Sequence, residues 1–218
     1  MGDDGRAAER GEMVAWTIEA RGIRDPAVIA AMRSVPREAF VPASIAGEAY
    51  ADHPLPIGSG QTISQPYIVA LTAEAARLTA GDRVLDVGTG SGYAAAVYAH
   101  IAREVVSVEV VPELADRARA ALAAAGVGNV RVVTGDGTLG VPENAPYDAI
   151  LAAAAGPGIP EPWIGQLAQG GRIVMPLERG DGWQQLVRAT LGDDGLEVAE
   201  LGGVRFVPLI GEHGIRPS

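Results

Sequence analysis

One stretch limits the folds open to this chain more than any other: residues 84–93, with the sequence VLDVGTGSGY. Val84–Val87 is predicted to form a short buried strand, three glycines follow at alternate positions, and Ala94–Ile101 is predicted to form a helix. Because glycine lacks a Cβ and tolerates positive φ, such a turn lets a ligand approach the backbone closely. Glu109 ends the next apolar run, 21 positions after Gly88, where doubly wound nucleotide-binding folds place a ribose-binding carboxylate.

The spacing of the glycines discriminates between nucleotide-like ligands. A dinucleotide-binding turn has the spacing G-x-G-x-x-G, whereas here the third glycine comes one residue early and Tyr93 stands in the later position. Asp86, two residues before the first glycine, would repel a phosphate but suits a cation such as the amino group of a methionyl ligand. The pattern resembles the first motif of class I S-adenosylmethionine (SAM) methyltransferases. The alternatives are a tight turn without a ligand and an NAD-dependent oxidoreductase, and the early glycine and Asp86 count against the second.

Regular alternation of strand and helix begins near residue 81 and predicts a parallel sheet covered on both faces, with right-handed crossovers. Two strand-like runs near the end, Gln184–Leu191 and Leu196–Leu201, flank a turn-rich GDDG and predict an antiparallel edge. A third apolar run covers Val204–Ile210. The fold class is therefore α/β, a doubly wound, mainly parallel, Rossmann-like sheet with an antiparallel C-terminal edge. The predicted strands of its core are Arg83–Val87, Val105–Glu109, Val130–Thr134, Asp148–Ala152 and Arg172–Pro176, and the further helices are Pro112–Ala125 and Pro162–Leu167.

The N-terminal third of the chain is predicted to form a small helical cap followed by a long loop. Residues 1–12 are polar and are predicted to be flexible. One helix begins at Met13, and a second has Asp25 as its N-cap and Pro26 at its first position. We expect a single domain over residues 13–218, divided into the cap and loop (13–80), a ligand-binding core (81–180) and the C-terminal strands (181–218).

Composition and charge exclude several classes of protein. A net charge of −10 argues against non-specific binding to nucleic acids or anionic membranes. The absence of cysteine excludes disulfides and thiolate chemistry, and the three scattered histidines predict no metal site. No apolar run approaches the ~20 residues of a membrane span, and the polar, acidic N-terminus is unlike a signal peptide. We therefore expect a cytoplasmic protein, and a monomer is favoured by default.

Ser64 permits two interpretations. It lies near the end of a long, largely apolar loop, residues 54–67, and loops of this length in compact domains are usually functional or disordered. A helix follows directly, so Ser64 is predicted to be its N-cap, with Pro66 in the first turn. A hydroxyl at a helix N-terminus can also help to bind an anion, and the two roles are compatible.

Three acids occur near the ends of consecutive predicted strands. Asp86, Glu109 and Asp136 are expected at the carboxyl edge of the sheet, where open α/β sheets bind their ligands. Glu109 can chelate two ribose hydroxyls with its two oxygens, and Asp136 can accept a hydrogen bond from an exocyclic adenine amine. Each acid could individually be a solvated strand end, but three at one edge favour a SAM site.

With these residues in view, the chain resembles the protein-L-isoaspartate (D-aspartate) O-methyltransferase family. The resemblance extends from Val35 to Leu209 and includes a signature loop that other SAM methyltransferases lack. It is carried by VPREAFV at 35–41, the loop LPIGSGQTISQPY at 55–67, the glycine turn, GDG at 135–137, YDAI at 147–150, GGR at 170–172 and VRFVPL at 204–209.

The resemblance implies methyl transfer from SAM to the α-carboxylate of an isoaspartyl residue in a damaged protein, and the family name extends this activity to D-aspartyl residues. It makes Ser64 the active-site serine. An ionised carboxylate needs no general base, so positioning and exclusion of water are the expected tasks of the site. The implied cofactor-binding residues are Ile63, Ser64, Gln65, Pro66, Tyr67, Asp86, Gly88, Gly90, Ser91, Glu109, Val110, Gly135 and Asp136.

Two departures from the family pattern raise a question about the substrate. Ala153 replaces a threonine and Gly158 replaces an acid, and both are expected near the site. They leave open a relative that methylates an ordinary aspartate in a dedicated precursor peptide. A SAM-binding sensor or scaffold that has lost catalysis is the alternative from a different functional class.

Overall fold

The computed structural model describes residues 3–216 and is built around a seven-stranded sheet with the strand order β5-β4-β3-β6-β7-β8-β9. Strands β3 to β7 run parallel, and β8 and β9 are antiparallel to their neighbours, so the predicted doubly wound sheet with an antiparallel C-terminal edge is confirmed. Its strands are β3 (Arg83–Val87), β4 (Glu104–Glu109), β5 (Val130–Thr134), β6 (Tyr147–Ala152), β7 (Leu167–Arg179), β8 (Trp183–Gly192) and β9 (Gly195–Val204).

Alternate residues of the central strands enter two separate hydrophobic cores. On β3, Val84 packs in the core that also holds the N-terminal helices, whereas Leu85 and Val87 pack in the core on the opposite face. The two-sided burial explains why these strands are continuous apolar runs. The α-helices in the described residues are α1 (Asp3–Met13), α2 (Pro26–Ser34), α3 (Pro66–Ala76), α4 (Tyr93–Ala99), α5 (Pro112–Ala124) and α6 (Glu161–Gly165), and none of them is long and apolar enough to cross a membrane.

The N-terminal segment differs from its prediction. Helix α1 occupies Asp3–Met13, although residues 1–12 are predicted to be flexible; residues 1 and 2 lie outside the described part of the chain. Arg10 donates from Nε to the carbonyl of Arg33 at 2.6 Å and from Nη1 to the hydroxyl of Tyr50 at 3.0 Å. Such contacts between distant segments hold α1 against the cap. Asp25 caps α2 as predicted, since its carboxylate accepts from the N–H of Ala27 at 2.8 Å.

The long loop at residues 54–67 contains a hairpin that was not predicted from the sequence. Strands β1 (Leu55–Gly58) and β2 (Gln61–Ile63) pair antiparallel, with Leu55 opposite Ile63. The alternation of buried and exposed residues along β1 is typical of a strand, but Pro56 within it and Pro54 before it obscure the pattern in the sequence. Ile63, the last residue of the hairpin, lies at the carboxyl edge of the large sheet.

The last apolar run, Val204–Ile210, begins at the last residue of β9 and does not form a further C-terminal strand. Instead, the segment crosses the end of β6, where the N–H of Ala155 donates to the carbonyl of Val207 at 2.8 Å and the N–H of Leu209 donates to the carbonyl of Ala155 at 2.7 Å. This segment forms one wall of the cavity at the carboxyl edge of the sheet.

Candidate active site

A cavity of about 840 Å³ opens beyond the carboxyl ends of β3 and β4. Three parts of the chain enclose it: the glycine turn, the end of the β1–β2 hairpin with the start of α3, and the C-terminal segment after β9. Its volume lies in the range of small-molecule sites, ~300–1,000 Å³. The predicted site residues that line it are Ile63, Ser64, Gln65, Tyr67, Gly88, Gly90, Ser91, Glu109 and Val110, whereas Pro66, Asp86, Gly135 and Asp136 do not.

The glycine turn has the conformation that its sequence predicts. Gly88, Gly90 and Gly92 have φ values of +90°, +54° and +89°, in the region that side chains disfavour. The third glycine has a packing role, because a Cβ on Gly92 would lie 3.3 Å from the side chain of Leu122 on α5. Because Gly88 and Gly90 carry no side chain, a ligand in the cavity can approach their backbone atoms.

Glu109 lies at the end of β4 and is the acid that the structure places directly in the cavity wall. Its side chain is 6% exposed. Its Oε2 accepts from the N–H of Gly90 at 2.8 Å, and its Oε1 accepts from the N–H of Val111 at 3.0 Å. A carboxylate has about four lone-pair sites, so one remains on each oxygen for a ligand diol. The predicted ribose contact stays a prediction that this geometry supports.

Asp86 does not line the cavity, although its position in the sequence predicts it there. It is 1% exposed, and its Oδ2 accepts from the hydroxyl of Ser107 at 2.6 Å. The hydroxyl of Ser107 in turn lies 2.5 Å from that of Thr89, which does line the cavity. The carboxylate therefore does not reach the cavity wall, and direct contact with the amino group of a ligand stays a prediction. Asp86 is the penultimate residue of β3 and lies beside Ser107 in the β3–β4 register.

The surroundings of Asp86 change its acidity. Burial raises the pKa of the Asp86 carboxyl to about 7, and the nearby carboxylate of Glu109 acts in the same direction against the hydrogen bond from Ser107. Ser107 and Thr89 are not among the residues predicted for the site. A serine within the otherwise apolar run VVSV at 105–108 is the sequence feature that could have indicated a partner for Asp86.

The carboxylate of Asp136 accepts hydrogen bonds from Thr138 and Glu212 and does not line the cavity. Its Oδ1 accepts from the N–H and the hydroxyl of Thr138 at 2.8 and 2.7 Å, and its Oδ2 accepts from the N–H of Glu212 at 2.8 Å. Burial raises the pKa of this carboxyl, but these hydrogen bonds and nearby His213 outweigh it, so the pKa lies below its ordinary value. Asp136 thus ties the C-terminal segment to the sheet edge, while Gly137 reaches the cavity; contact with an adenine amine stays a prediction.

Ser64 lines the cavity but is not a helix cap. The N-cap of α3 is Gln65, because Pro66 is the first helical residue, so the predicted capping role of Ser64 is wrong. Among the described residues, the hydroxyl of Ser64 has no hydrogen-bond partner within the protein, whereas its carbonyl accepts from Nη2 of Arg37 at 2.9 Å. The hydroxyl is therefore available to a molecule in the cavity.

Several lining residues were not predicted from the sequence. Arg21, from the N-terminal cap, lies 3.5 Å from the ring centroid of Tyr67 and pairs with Asp52 at 2.8 Å. Trp183, at the start of β8, is 65% exposed at the cavity mouth, and Arg205 lines the same wall. These residues come from segments distant in sequence, so no local pattern brings them together.

The family model for protein-L-isoaspartate(D-aspartate) O-methyltransferase matches residues 8–214. A protein-L-isoaspartate O-methyltransferase 1 of Rhodopseudomonas palustris is 58% identical over 209 residues, which cover 95% of this chain and 85% of the relative. The chain belongs to the protein-L-isoaspartate(D-aspartate) O-methyltransferase family. A second member, from Methanoculleus marisnigri, is 55% identical over 206 residues, which cover 94% of this chain and 93% of that relative. The predicted family is confirmed, and it decides against the NAD-dependent oxidoreductase.

Solved structures of this methyltransferase family share the fold. A protein-L-isoaspartate O-methyltransferase superposes with a TM-score of 0.85 at 32% identity, covering 94% of this chain and 67% of that one. A Plasmodium falciparum chain assigned to the same enzyme class superposes with a TM-score of 0.79 at 26% identity, covering 91% of this chain and 97% of its own. That structure was determined in complex with S-adenosyl-L-homocysteine.

The two departures from the pattern of the methyltransferase family differ in where they lie. Ala153 lines the cavity, and its Cβ lies 3.6 Å from the position that a Cβ on Gly88 would occupy. Gly158 does not line the cavity. The expectation that both departures lie at the site is therefore met by Ala153 alone.

Proposed function

We propose that this protein transfers the methyl group of SAM to the α-carboxylate of L-isoaspartyl residues in damaged proteins. One observation carries the proposal: a single cavity joins the glycine turn and Glu109 to the loop that presents Ser64. The glycine turn and Glu109 suit a methyl donor that carries a nucleoside, and the hydroxyl of Ser64 suits a methyl acceptor that carries a carboxylate. Membership of the family indicates the class of reaction, which is methyl transfer to a carboxylate.

The donor half of the cavity fits SAM. Glycines at 88 and 90 leave backbone accessible, and the two oxygens of Glu109 retain acceptor capacity beside the turn. Gly88, Gly90, Ser91, Glu109 and Val110 would hold the cofactor there. The chemistry that SAM supplies when bound is an electrophilic methyl group on a sulfonium.

The acceptor half has to orient a carboxylate oxygen and exclude water. An isoaspartyl α-carboxylate is ionised at neutral pH, so it would need no general base to accept the methyl group, with S-adenosyl-L-homocysteine as the leaving group. The hydroxyl of Ser64 can donate to the second carboxylate oxygen and fix its direction. The ester has a better leaving group, so the following backbone amide closes to a succinimide with loss of methanol, and hydrolysis returns part of the chain to normal aspartate.

Ser64→Ala is expected to lower kcat/KM for an isoaspartyl peptide by about 10- to 100-fold, because a hydrogen bond to a charged group contributes roughly 1.5–3 kcal/mol. The affinity for S-adenosyl-L-homocysteine should stay within about threefold, as measured by titration calorimetry. Ser59→Ala, in the exposed turn of the same hairpin, is the matched control and should leave both quantities unchanged. Unchanged kinetics in Ser64→Ala would remove the serine from the acceptor site.

The proposal itself is tested with a pair of peptides that differ only in isoaspartate against aspartate. Purified protein with labelled SAM should form a base-labile methyl ester on the isoaspartyl peptide and little on its twin. A preference for the aspartyl peptide would instead favour modification of a dedicated precursor, for which the small side chain of Ala153 in the cavity wall is the relevant observation. If neither peptide forms an ester, both the isoaspartyl activity and the modification of a precursor peptide are wrong. The monomeric state and cytoplasmic location stay predictions from the sequence.

A further inference from the structure

Arg37 is a buried cation that contacts no acid. Its side chain is fully enclosed, and its guanidinium donates to three main-chain carbonyls, those of Ala49, His53 at 3.4 Å and Ser64 at 2.9 Å. Within residues 3–216, no carboxylate forms an ion pair with Arg37, although the charge of Asp52 acts on it from further away, and its buried Nε has no hydrogen-bond partner. Burial of a cation without a direct ion pair, and with one donor unpaired, costs stability. The arrangement is therefore not one that stability alone would favour.

Of the three carbonyls, that of Ser64 belongs to a cavity-lining residue, and that of His53 directly precedes Pro54, which also lines the cavity, whereas Ala49 does not line it. Ser64 lies in the two-residue link between β2 and α3, so its carbonyl belongs to neither element. Through the same guanidinium, Arg37 joins this link to the main chain at Ala49 and at His53. The guanidinium carbon also lies 5.7 Å from the ring centroid of Tyr93, the residue that follows the glycine turn.

We propose that Arg37 is a positioning residue that sets the main chain at Ser64 against the glycine turn, and so aligns the acceptor with the donor. The inference rests on the proposed function. In-line transfer requires the oxygen, methyl carbon and sulfur to be collinear, and a displacement of ~1 Å can cost roughly 100-fold in rate. Arg37 does not line the cavity, so it acts only through Ser64 and Tyr93.

Arg172 provides a matched control at the other end of the sheet. It also donates to several carbonyls, those of Ala76, Asp148 at 2.9 Å and Arg77 at 2.8 Å, and it pairs with Asp82. These contacts lie near the amino ends of β3 and β6, away from the cavity. An arginine that only stabilises the fold should behave like Arg172.

The test compares Arg37→Lys, Arg37→Met and Arg172→Lys at a temperature well below their unfolding midpoints. Arg37→Met is expected to lower kcat about 30- to 100-fold, with S-adenosyl-L-homocysteine affinity within about threefold, and Arg37→Lys should recover part of the loss. Arg172→Lys should lower the unfolding midpoint but leave kcat within about twofold. A kcat in Arg37→Met equal to that of the wild type, or a loss in Arg172→Lys as large as in Arg37→Lys, would overturn the proposal.

Two further measurements keep the proposal testable if Arg37→Met does not fold. In a double-mutant cycle, Arg37→Lys should cost much less kcat in the Ser64→Ala background than in the wild type, and simple additivity would contradict the proposal. Hydrogen exchange needs no substrate: Arg37→Lys should speed exchange of the amides at residues 61–67 but not at 88–92, and Arg172→Lys should do neither. If the wild type forms no ester, the proposed function fails, while hydrogen exchange still decides whether Arg37 orders the loop.

Discussion

Glu109→Gln is expected to weaken binding of S-adenosyl-L-homocysteine by about 100-fold. Each oxygen of the carboxylate accepts a backbone N–H, from Gly90 at 2.8 Å and from Val111 at 3.0 Å. An amide can replace only one of these acceptors, so its NH₂ group would face a second N–H donor. The substitution would also remove one of the two acceptors offered to a ligand diol. Hydrogen bonds to charged groups contribute roughly 1.5–3 kcal/mol, which corresponds to about 10- to 100-fold each.

Titration calorimetry measures this change, and β4 itself provides the control. Glu104 begins the same strand and pairs with Arg83 at its amino end, remote from the cavity. Glu104→Gln should therefore change the affinity by less than about twofold, because a partly exposed ion pair contributes little. Equal affinities in the wild type and Glu109→Gln would show that Glu109 does not contact the ligand. Equal losses in both variants would point to a general disturbance of β4.

The second large effect concerns the pH dependence of stability. The pKa of the Asp86 carboxyl is raised from 3.8 to about 7 in the folded protein. The folded state thus binds this proton more tightly than the unfolded state does, and the contribution of Asp86 to stability falls as the pH rises from about 4 to about 7. At ~1.4 kcal/mol per pKa unit, the loss is at most about 4 kcal/mol above pH 7.

Asp86→Asn removes this titration, so its free energy of unfolding should rise relative to the wild type by about 2–3 kcal/mol between pH 5 and pH 8. Denaturant unfolding at four pH values measures the difference. Ser107→Ala is the companion variant: it deletes the hydrogen bond that lowers the pKa of Asp86 and should move the wild-type transition to higher pH. A difference between Asp86→Asn and the wild type that does not vary with pH would show that Asp86 stays ionised in the fold.

The parts of the fold that were predicted correctly depend on local patterns. The bounds of β3 and β5 match the predictions residue for residue, and Asp25 caps α2 as expected. Apolar runs, glycine turns and capping residues determine these features over a few neighbouring positions. The hairpin at residues 55–63 was missed because prolines obscure its alternation, and α1 was missed because its support comes from Arg33, Ala46 and Tyr50, distant in sequence.

By itself, the sequence determined the glycine turn, the place of Glu109 at the end of β4, and the loop that carries Ser64. Steric limits on the backbone and the two-residue period of a strand act locally, so these features could be predicted from the residues alone. Only the tertiary structure decided that Asp86 is buried against Ser107, that Asp136 holds Glu212, and that Arg37 reaches Ser64 across 27 residues. Each of these depends on which distant group lies within hydrogen-bond reach after packing, and no local pattern encodes that distance.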